Sequence, residues 1–188
     1  TLSGSEVDAA RAAGYKLSAE ICDEGFVLLK NDGILPLKKD EIKSIGIVGP
    51  NANSRAALIG NYHGTASRYV TIQEGIQDYL GKDVRVLTSE GCSLFQDRAE
   101  HLAVKNDRIA EAQNRKELVA QIQQKKSFLC VGLDETLEGE EGDAGNAYAS
   151  GDKVDLQLPQ SQRDLIEAIA ETGKPVVYCM MSGSDLDM

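Results

Sequence analysis

The stretch Ser-Ile-Gly-Ile-Val-Gly-Pro, residues 44–50, decides the fold of this 188-residue chain. Its continuous apolar, β-branched character is typical of a strand that is buried on both faces of a parallel sheet. The glycine and proline that close it, followed by Asn51, predict a sharp turn off the end of the strand. The sequence therefore predicts a central β-strand at this position.

Three further apolar runs predict neighbouring core strands, at residues 84–88, 128–132 and 176–180, beside the first strand at 45–49. Helical patterns separate them at residues 71–81, 107–124 and 161–173. Strands that alternate with helices at this spacing predict βαβ units. The predicted fold class is α/β, a doubly wound and mostly parallel sheet with helices on both faces.

The N-terminal segment predicts one more helix, over residues 5–24, with Ser5 as its N-cap. Phe-Val-Leu-Leu-Lys-Asn, residues 26–31, then predicts a short apolar strand. The length suits one domain, so residues 1–188 are taken as a single α/β domain. A doubly wound sheet usually returns a helix after its last strand, so we expect a partial domain, truncated at its C-terminal end.

Composition and charge exclude several classes of partner. The chain is 41% hydrophobic and 27% charged, and its 30 acidic and 20 basic residues give a formal net charge of −10. That acidity argues against a nucleic-acid or an anionic-membrane partner, because either would bring like charges together. No apolar run approaches the roughly 20 residues that span a bilayer.

The cysteines and histidines predict no metal ion and no cofactor. Cys130 and Cys179 lie within apolar runs and Cys92 is interpreted as a packing residue, so these thiols act as small hydrophobes. His63 and His101 stand alone, and no Cys-x-x-Cys pair exists. His63 is interpreted as a loop histidine with a structural hydrogen bond. Widely spaced cysteines favour a reducing, cytoplasmic location.

Two connections are unusually long for such a fold, residues 51–69 and 134–159, and long loops of this kind are often functional. The second is strongly acidic, with eight carboxylates against one lysine, Lys153. Crowded carboxylates raise one another's proton affinity, and a protonated carboxyl is what a general acid needs. A solvated acidic loop and a calcium loop are the alternatives, although the Asp-x-Asp-x-Asp-Gly spacing is absent.

Several segments together resemble one family. They are AEICDEGFVLLKNDGILPL, SIGIVGPNAN, GNYHGTASRYVTIQEGI, GCSLF, GLDETLEGE, GDKVDLQLPQSQRDLIEAI and GKPVVYCMMSGSDLD. In this order they resemble the C-terminal α/β sandwich domain of glycoside hydrolase family 3. The GNYHG and GCSLF segments look most like its β-xylosidase branch, with the β-glucosidases close behind.

The resemblance implies a retaining glycosidase that hydrolyses β-xylosides or β-glucosides with two carboxylates about 5 Å apart. In the family, an aspartate of a separate barrel domain is the nucleophile. The sandwich supplies the acid/base glutamate from the loop that corresponds to residues 134–159. The family pattern there is a glutamate shortly before an Asp-Arg pair, followed by an apolar stretch that ends in Leu-Pro.

Two alignments of that pattern remain open. Asp152-Lys153 matches the Asp-Arg pair if residues are inserted after Glu141, whereas Asp143 matches it if Ala144 replaces the arginine. On either alignment Glu140 or Glu141 lies closest to the acid/base position, and Glu140 is favoured. Glu141 and Glu138 are the alternates.

The resemblance also implies a partner for this chain. The barrel domain is not present within the 188 residues, so we expect the isolated chain to be inactive and the barrel to be its partner. Its ligand would then be a small-molecule glycoside. The alternative function is a non-catalytic α/β module that binds carbohydrate or metal through the acidic loop.

Overall fold

The computed structural model describes residues 3–59, 64–95, 126–139, 153 and 155–187. The chain divides into two compact units, Thr1–Pro36 and Leu37–Met188. The strands are β1 (Ser44–Val48), β2 (Arg85–Ser89), β3 (Lys126–Gly132) and β4 (Val176–Met181). The α-helices are α1 (Gly4–Gly25), α2 (Ile72–Leu80) and α3 (Gln160–Ala170), and the short 3₁₀ helices are Lys39–Glu41 and Ala56–Leu58.

The four strands form one parallel sheet in the order β2-β1-β3-β4. This confirms the four strands predicted from the apolar runs. The chain moves from β1 to one neighbour, β2, and later returns to the other side of β1 with β3. The gap between the carboxyl ends of β1 and β3 is therefore the topological switch point, where sheets of this type bind ligands.

Alternate residues of the strands face two separate layers of helix, as the predicted doubly wound class requires. One face packs Val48, Leu129 and Val131 against Leu165 and Ile169 of α3. The opposite face packs against α2 and the segments beside it, with Ile45, Ile47, Phe128 and Cys130 of the sheet and Ile72, Ile76 and Leu80 of the helix. Burial on both faces explains why β1 reads as a continuous apolar run.

Capping boxes begin two of the helices. The Thr71 hydroxyl accepts from the Glu74 N–H of α2 at 3.2 Å, and the Glu74 carboxylate accepts from the Thr71 N–H at 2.9 Å. Ser3 and Glu6 make the same reciprocal pair at α1. The prediction of Ser5 as the N-cap was therefore wrong, because Ser-x-x-Glu spacing satisfies two backbone N–H groups when Ser3 is the cap.

The N-terminal unit corrects a second prediction. Residues 26–31 form no strand, and the side chains of Phe26, Val27, Leu28 and Leu29 are 63–82% exposed. An apolar run alone does not make a strand, because a strand needs a neighbour to pair its backbone groups. The helix predicted at residues 107–124 lies outside the described residues.

Two glycines allow backbone to approach backbone at the ends of the strands. A Cβ on Gly49 would lie 1.9 Å from the Cys130 carbonyl oxygen, and one on Gly132 would lie 1.9 Å from the Met181 carbonyl oxygen. Both glycines also have positive φ angles, 119° and 146°. Gly49 begins the sharp turn predicted after β1, where the Ala52 N–H donates to the Gly49 carbonyl at 3.1 Å.

We expect Gly132→Ala to destabilise the sheet by at least about 2 kcal/mol, because the new methyl group meets the β4 backbone. The measurement is thermal or urea unfolding of the folded protein. Gly183→Ala is the matched control, since a Cβ there meets no atom within 4 Å. Equal stability of the two variants would contradict the close approach.

Candidate functional site

The carboxyl ends of β1 and β3 define the candidate site, because the acidic loop leaves the sheet there. Asn51 follows β1 and is 1% exposed. Its side-chain Nδ2 donates to the Leu133 carbonyl at 3.1 Å, and its backbone N–H donates to the Cys130 carbonyl at 3.3 Å. Asn51 therefore bridges the switch point, from the turn after β1 to the first residue beyond β3.

The Asn51 side chain also carries an unsatisfied acceptor. Its Oδ1 is buried and accepts no hydrogen bond within the described part of the chain. The contact from Nδ2 to Leu133 fixes the orientation of the amide, so rotating it does not remove the orphan oxygen. An ordered water or the hydroxyl of a ligand is the kind of group that satisfies such an acceptor.

The acidic loop begins with an ordered turn. The Asp134 carboxylate accepts from the Thr136 N–H at 2.9 Å, and the Asp134 carbonyl accepts from the N–H groups of Leu137 and Glu138, both at 3.0 Å. Leu137 is 1% exposed and belongs to the core cluster beneath α3. The turn therefore holds Glu138, an alternate acid/base candidate, in a half-buried position.

The favoured residue Glu140 and the alternate Glu141 lie outside the described residues, as do His63 and His101. The choice among the three glutamates therefore stays a prediction.

Lys153 anchors the far end of the acidic loop. Its side chain is 4% exposed and its Nζ lies 3.2 Å from Asp155 Oδ1. The same ammonium donates to the backbone carbonyls of Asp155 and Gln157. These bonds stabilise the segment that runs into α3, because one ammonium binds the Asp155 carboxylate and two backbone carbonyls at once.

Asp155 is held in its charged form. The Gln157 N–H donates to its carboxylate at 3.0 Å, and this bond, followed by the one from Lys153, lowers the pKa of Asp155. Crowding in this loop was expected to raise the proton affinity of at least one carboxyl. At Asp155 the local donors act in the opposite direction, which identifies it as an anchoring group rather than a proton donor.

Two buried polar residues on the first turn of α3 complete the site. Ser161 and Gln162 are both 0% exposed, and both bind backbone carbonyls of the segment that follows β2. Sequence reasoning missed Asn51 and Gln162. For Asn51 the available signal was an asparagine directly after a Gly-Pro turn at a strand end.

The cysteines pack as expected from their apolar surroundings. Cys92 and Cys130 belong to the buried core, and Cys130 lies directly across from Cys179 on β4. A hydrogen bond between these two thiols, together with burial, raises the pKa of Cys130. None of the four cysteines forms a disulfide.

Within the described ranges, no three His, Cys, Asp or Glu side chains gather as a metal site would require. No helix among those residues combines the length and apolarity that crossing a membrane demands.

These features define a class of protein, a doubly wound α/β domain with an acidic loop at the switch point of its sheet. The family model described as the glycosyl hydrolase family 3 C-terminal domain matches residues 26–188. The chain therefore belongs to glycosyl hydrolase family 3, as the resemblance of its segments indicated.

Named relatives include both xylosidases and glucosidases. Beta-D-xylosidase 3 of Arabidopsis thaliana is 30% identical over 184 residues, which cover 96% of this chain and 20% of the relative. The periplasmic beta-glucosidase of Salmonella typhimurium is 33% identical over 182 residues, 91% of this chain and 22% of the relative. The chain thus spans about a fifth of the length of these relatives.

A solved structure is similar over nearly the whole chain. It is a family 3 exo-beta-xylosidase in complex with a xylobiose aziridine activity-based probe, with a TM-score of 0.73 and 28% identity. The match covers 96% of this chain and 20% of that one.

The Lys153–Asp155 pair predicts a pH-dependent contribution to stability. Because folding lowers the pKa of Asp155 below its ordinary 3.8, its contribution is fully present above that value and is lost as the pH falls through the lowered pKa. We expect Asp155→Asn to lower the melting temperature at pH 7, and we expect this difference from the unaltered protein to shrink as the pH falls below 3.8. Thermal unfolding across this range measures the effect.

Asp83→Asn is the control, since Asp83 is an exposed aspartate in the turn before β2. A loss for Asp155→Asn that stays constant from pH 7 down to the acid limit of the folded protein would contradict the ion pair.

Proposed function

We propose that this chain supplies the general acid/base of a retaining β-glycosidase that hydrolyses β-xylosides or β-glucosides. The observation that carries the proposal is the acidic loop, which leaves the sheet at the switch point and is anchored at both ends. Asn51 holds Leu133, the residue directly before the loop, and Lys153 holds the segment that leads into α3. Membership of family 3 and the names of the relatives support the reaction class.

The chemistry assigns two tasks to one carboxyl, and we place both on Glu140. In the first step the protonated carboxyl donates to the glycosidic oxygen while a carboxylate nucleophile attacks the anomeric carbon. In the second step the same residue, now ionised, removes a proton from water, which releases the sugar. Glu141 and Glu138 remain the alternates, with Glu138 on the ordered turn after β3.

The nucleophile belongs, in this proposal, to a barrel domain that is the chain's partner. The longer relatives support such a partner, since the chain covers only about a fifth of them.

We expect the isolated 188-residue chain to hydrolyse neither aryl β-xylosides nor aryl β-glucosides above background. A retaining mechanism needs a second carboxylate for the covalent intermediate, and the proposal places that group on the barrel. The assay compares a pure sample with the protein in which a barrel domain precedes the chain. Hydrolysis by the isolated chain that disappears when one of its own carboxylates is replaced would show that the nucleophile is on this chain.

In that longer enzyme we expect Glu140→Ala to slow substrates with poor leaving groups by about 10²–10⁴-fold, the usual contribution of general acid catalysis. Nitrophenyl leaving groups need little protonation, so formation of the intermediate should suffer far less with them. The intermediate should then accumulate, because the base for its hydrolysis is also missing. Azide needs no base and should release it as a β-glycosyl azide, identified by mass spectrometry.

Glu141→Ala and Glu138→Ala are the matched comparisons. Azide rescue that is confined to one of them would move the assignment to that residue. Unchanged kinetics of Glu140→Ala on a natural disaccharide would remove Glu140 from the mechanism.

A further inference from the structure

The end of β3 presents a backbone problem that one side chain solves. β1 pairs with β3 only as far as Val48 opposite Leu129, so Gly132 extends beyond the end of β1. On its other side β3 stays paired, and the Leu133 N–H donates to the Met181 carbonyl at 2.9 Å. Backbone groups of successive residues point to opposite sides of a strand, so those of Gly132 point to the side where β1 has ended.

Gln162 takes the place of the missing strand. Its Oε1 accepts from the Gly132 N–H at 2.8 Å, and its Nε2 donates to the Gly132 carbonyl at 2.8 Å. Nε2 also donates to the Leu94 carbonyl at 3.0 Å, so both amide hydrogens and the amide oxygen are used. The side chain is 0% exposed, and therefore water does not compete for these bonds.

The neighbours of Gln162 extend this contact into a clamp on the carboxyl edge. Ser161 Oγ donates to the Ser93 carbonyl at 2.9 Å, which ties the same turn of α3 to the segment after β2. From the other direction, Asn51 Nδ2 holds the Leu133 carbonyl. Gly132 and Leu133, the last two residues before the acidic loop, are thus fixed from two sides by neutral amides.

We propose that Gln162 is a positioning residue for the acid/base glutamate, acting through the backbone of Gly132. This inference rests on the proposed glycosidase function. Gln162 does not itself touch substrate; it fixes the peptide from which the acidic loop departs, six residues before Glu138 and eight before Glu140 in the sequence. A misplacement of about 1 Å at a reacting group reduces catalysis by about 10²-fold, so the anchor of the loop bears on proton transfer.

The test is Gln162→Glu in the longer enzyme that carries a barrel domain. Glutamate keeps the shape of the side chain, but an ionised carboxylate turns an acceptor towards two carbonyls that need a donor. We expect kcat to fall about 10- to 100-fold on substrates with poor leaving groups and far less on nitrophenyl glycosides. The leaving-group dependence of the rate should therefore become steeper.

Two measurements separate positioning from loss of folded protein. A mechanism-based fluoroglycoside counts the active sites, and rates are expressed per titrated site. Protonation gives the carboxyl introduced by Gln162→Glu one donor and one acceptor again, so the leaving-group effect should shrink as the pH is lowered. Gln162→Met, which keeps the length without a charge, should show the steeper dependence at every pH.

Gln160→Glu is the matched control, the same chemical change at an exposed position at the start of α3. The inference is overturned if the per-site rates of Gln162→Glu fall equally for all leaving groups, or do not fall. It is overturned together with the proposed function if the unaltered longer enzyme hydrolyses no β-glycoside. Hydrogen exchange over residues 129–139 distinguishes the two failures. If Gln162 clamps this segment without a catalytic role, exchange there is still slower in the unaltered protein than in Gln162→Glu.

Discussion

The backbone N–H and C=O of Gly132 are the constraint on which the candidate site depends. A buried N–H and C=O at the end of a strand need partners, and the neighbouring strand β1 is too short to provide them. Extending β1 would satisfy them but would close the switch point. The chain instead turns away at Gly49, and Gln162 binds both groups in place of a strand.

The same constraint links the core to the site. Leu165 and Ile169 of α3 are fully buried against β3, and this packing sets the position of the helix. Its first turn then places Ser161 and Gln162 at the carboxyl edge. A change in the apolar packing beneath α3 would therefore move the anchors of the acidic loop, since Leu133 and Leu137 of the same core cluster lie at its start.

Apolar runs in the sequence were sufficient to predict the sheet, because strands buried on both faces leave a clear β-branched pattern, as at 45–49. The run at 26–31 has the same local character and forms no strand. Local composition shows only that a segment is apolar, whereas strand pairing depends on a neighbour that is distant in the sequence. The Ser5 prediction failed for a smaller reason, since Ser3 and Ser5 are both good caps and only the Glu6 spacing distinguishes them.

The site, in turn, was predictable as a loop but not as a set of contacts. Charge density located residues 134–159, but a glutamine inside an amphipathic helix carries no signal of its own, and so the role of Gln162 emerged only from the register of β1 and β3.

The chemistry of the anchors fits the needs of a general acid. A cation beside a glutamate stabilises the carboxylate and lowers its pKa, which would oppose the protonated state that the first step requires. Asn51 and Gln162 are neutral, so they fix the backbone at the start of the loop without adding charge. The cationic anchor at the far end, Lys153, is buried and directs its charge to Asp155 and two carbonyls. The described anchors of the loop therefore place no cation beside Glu138, the one acid/base candidate among the described residues.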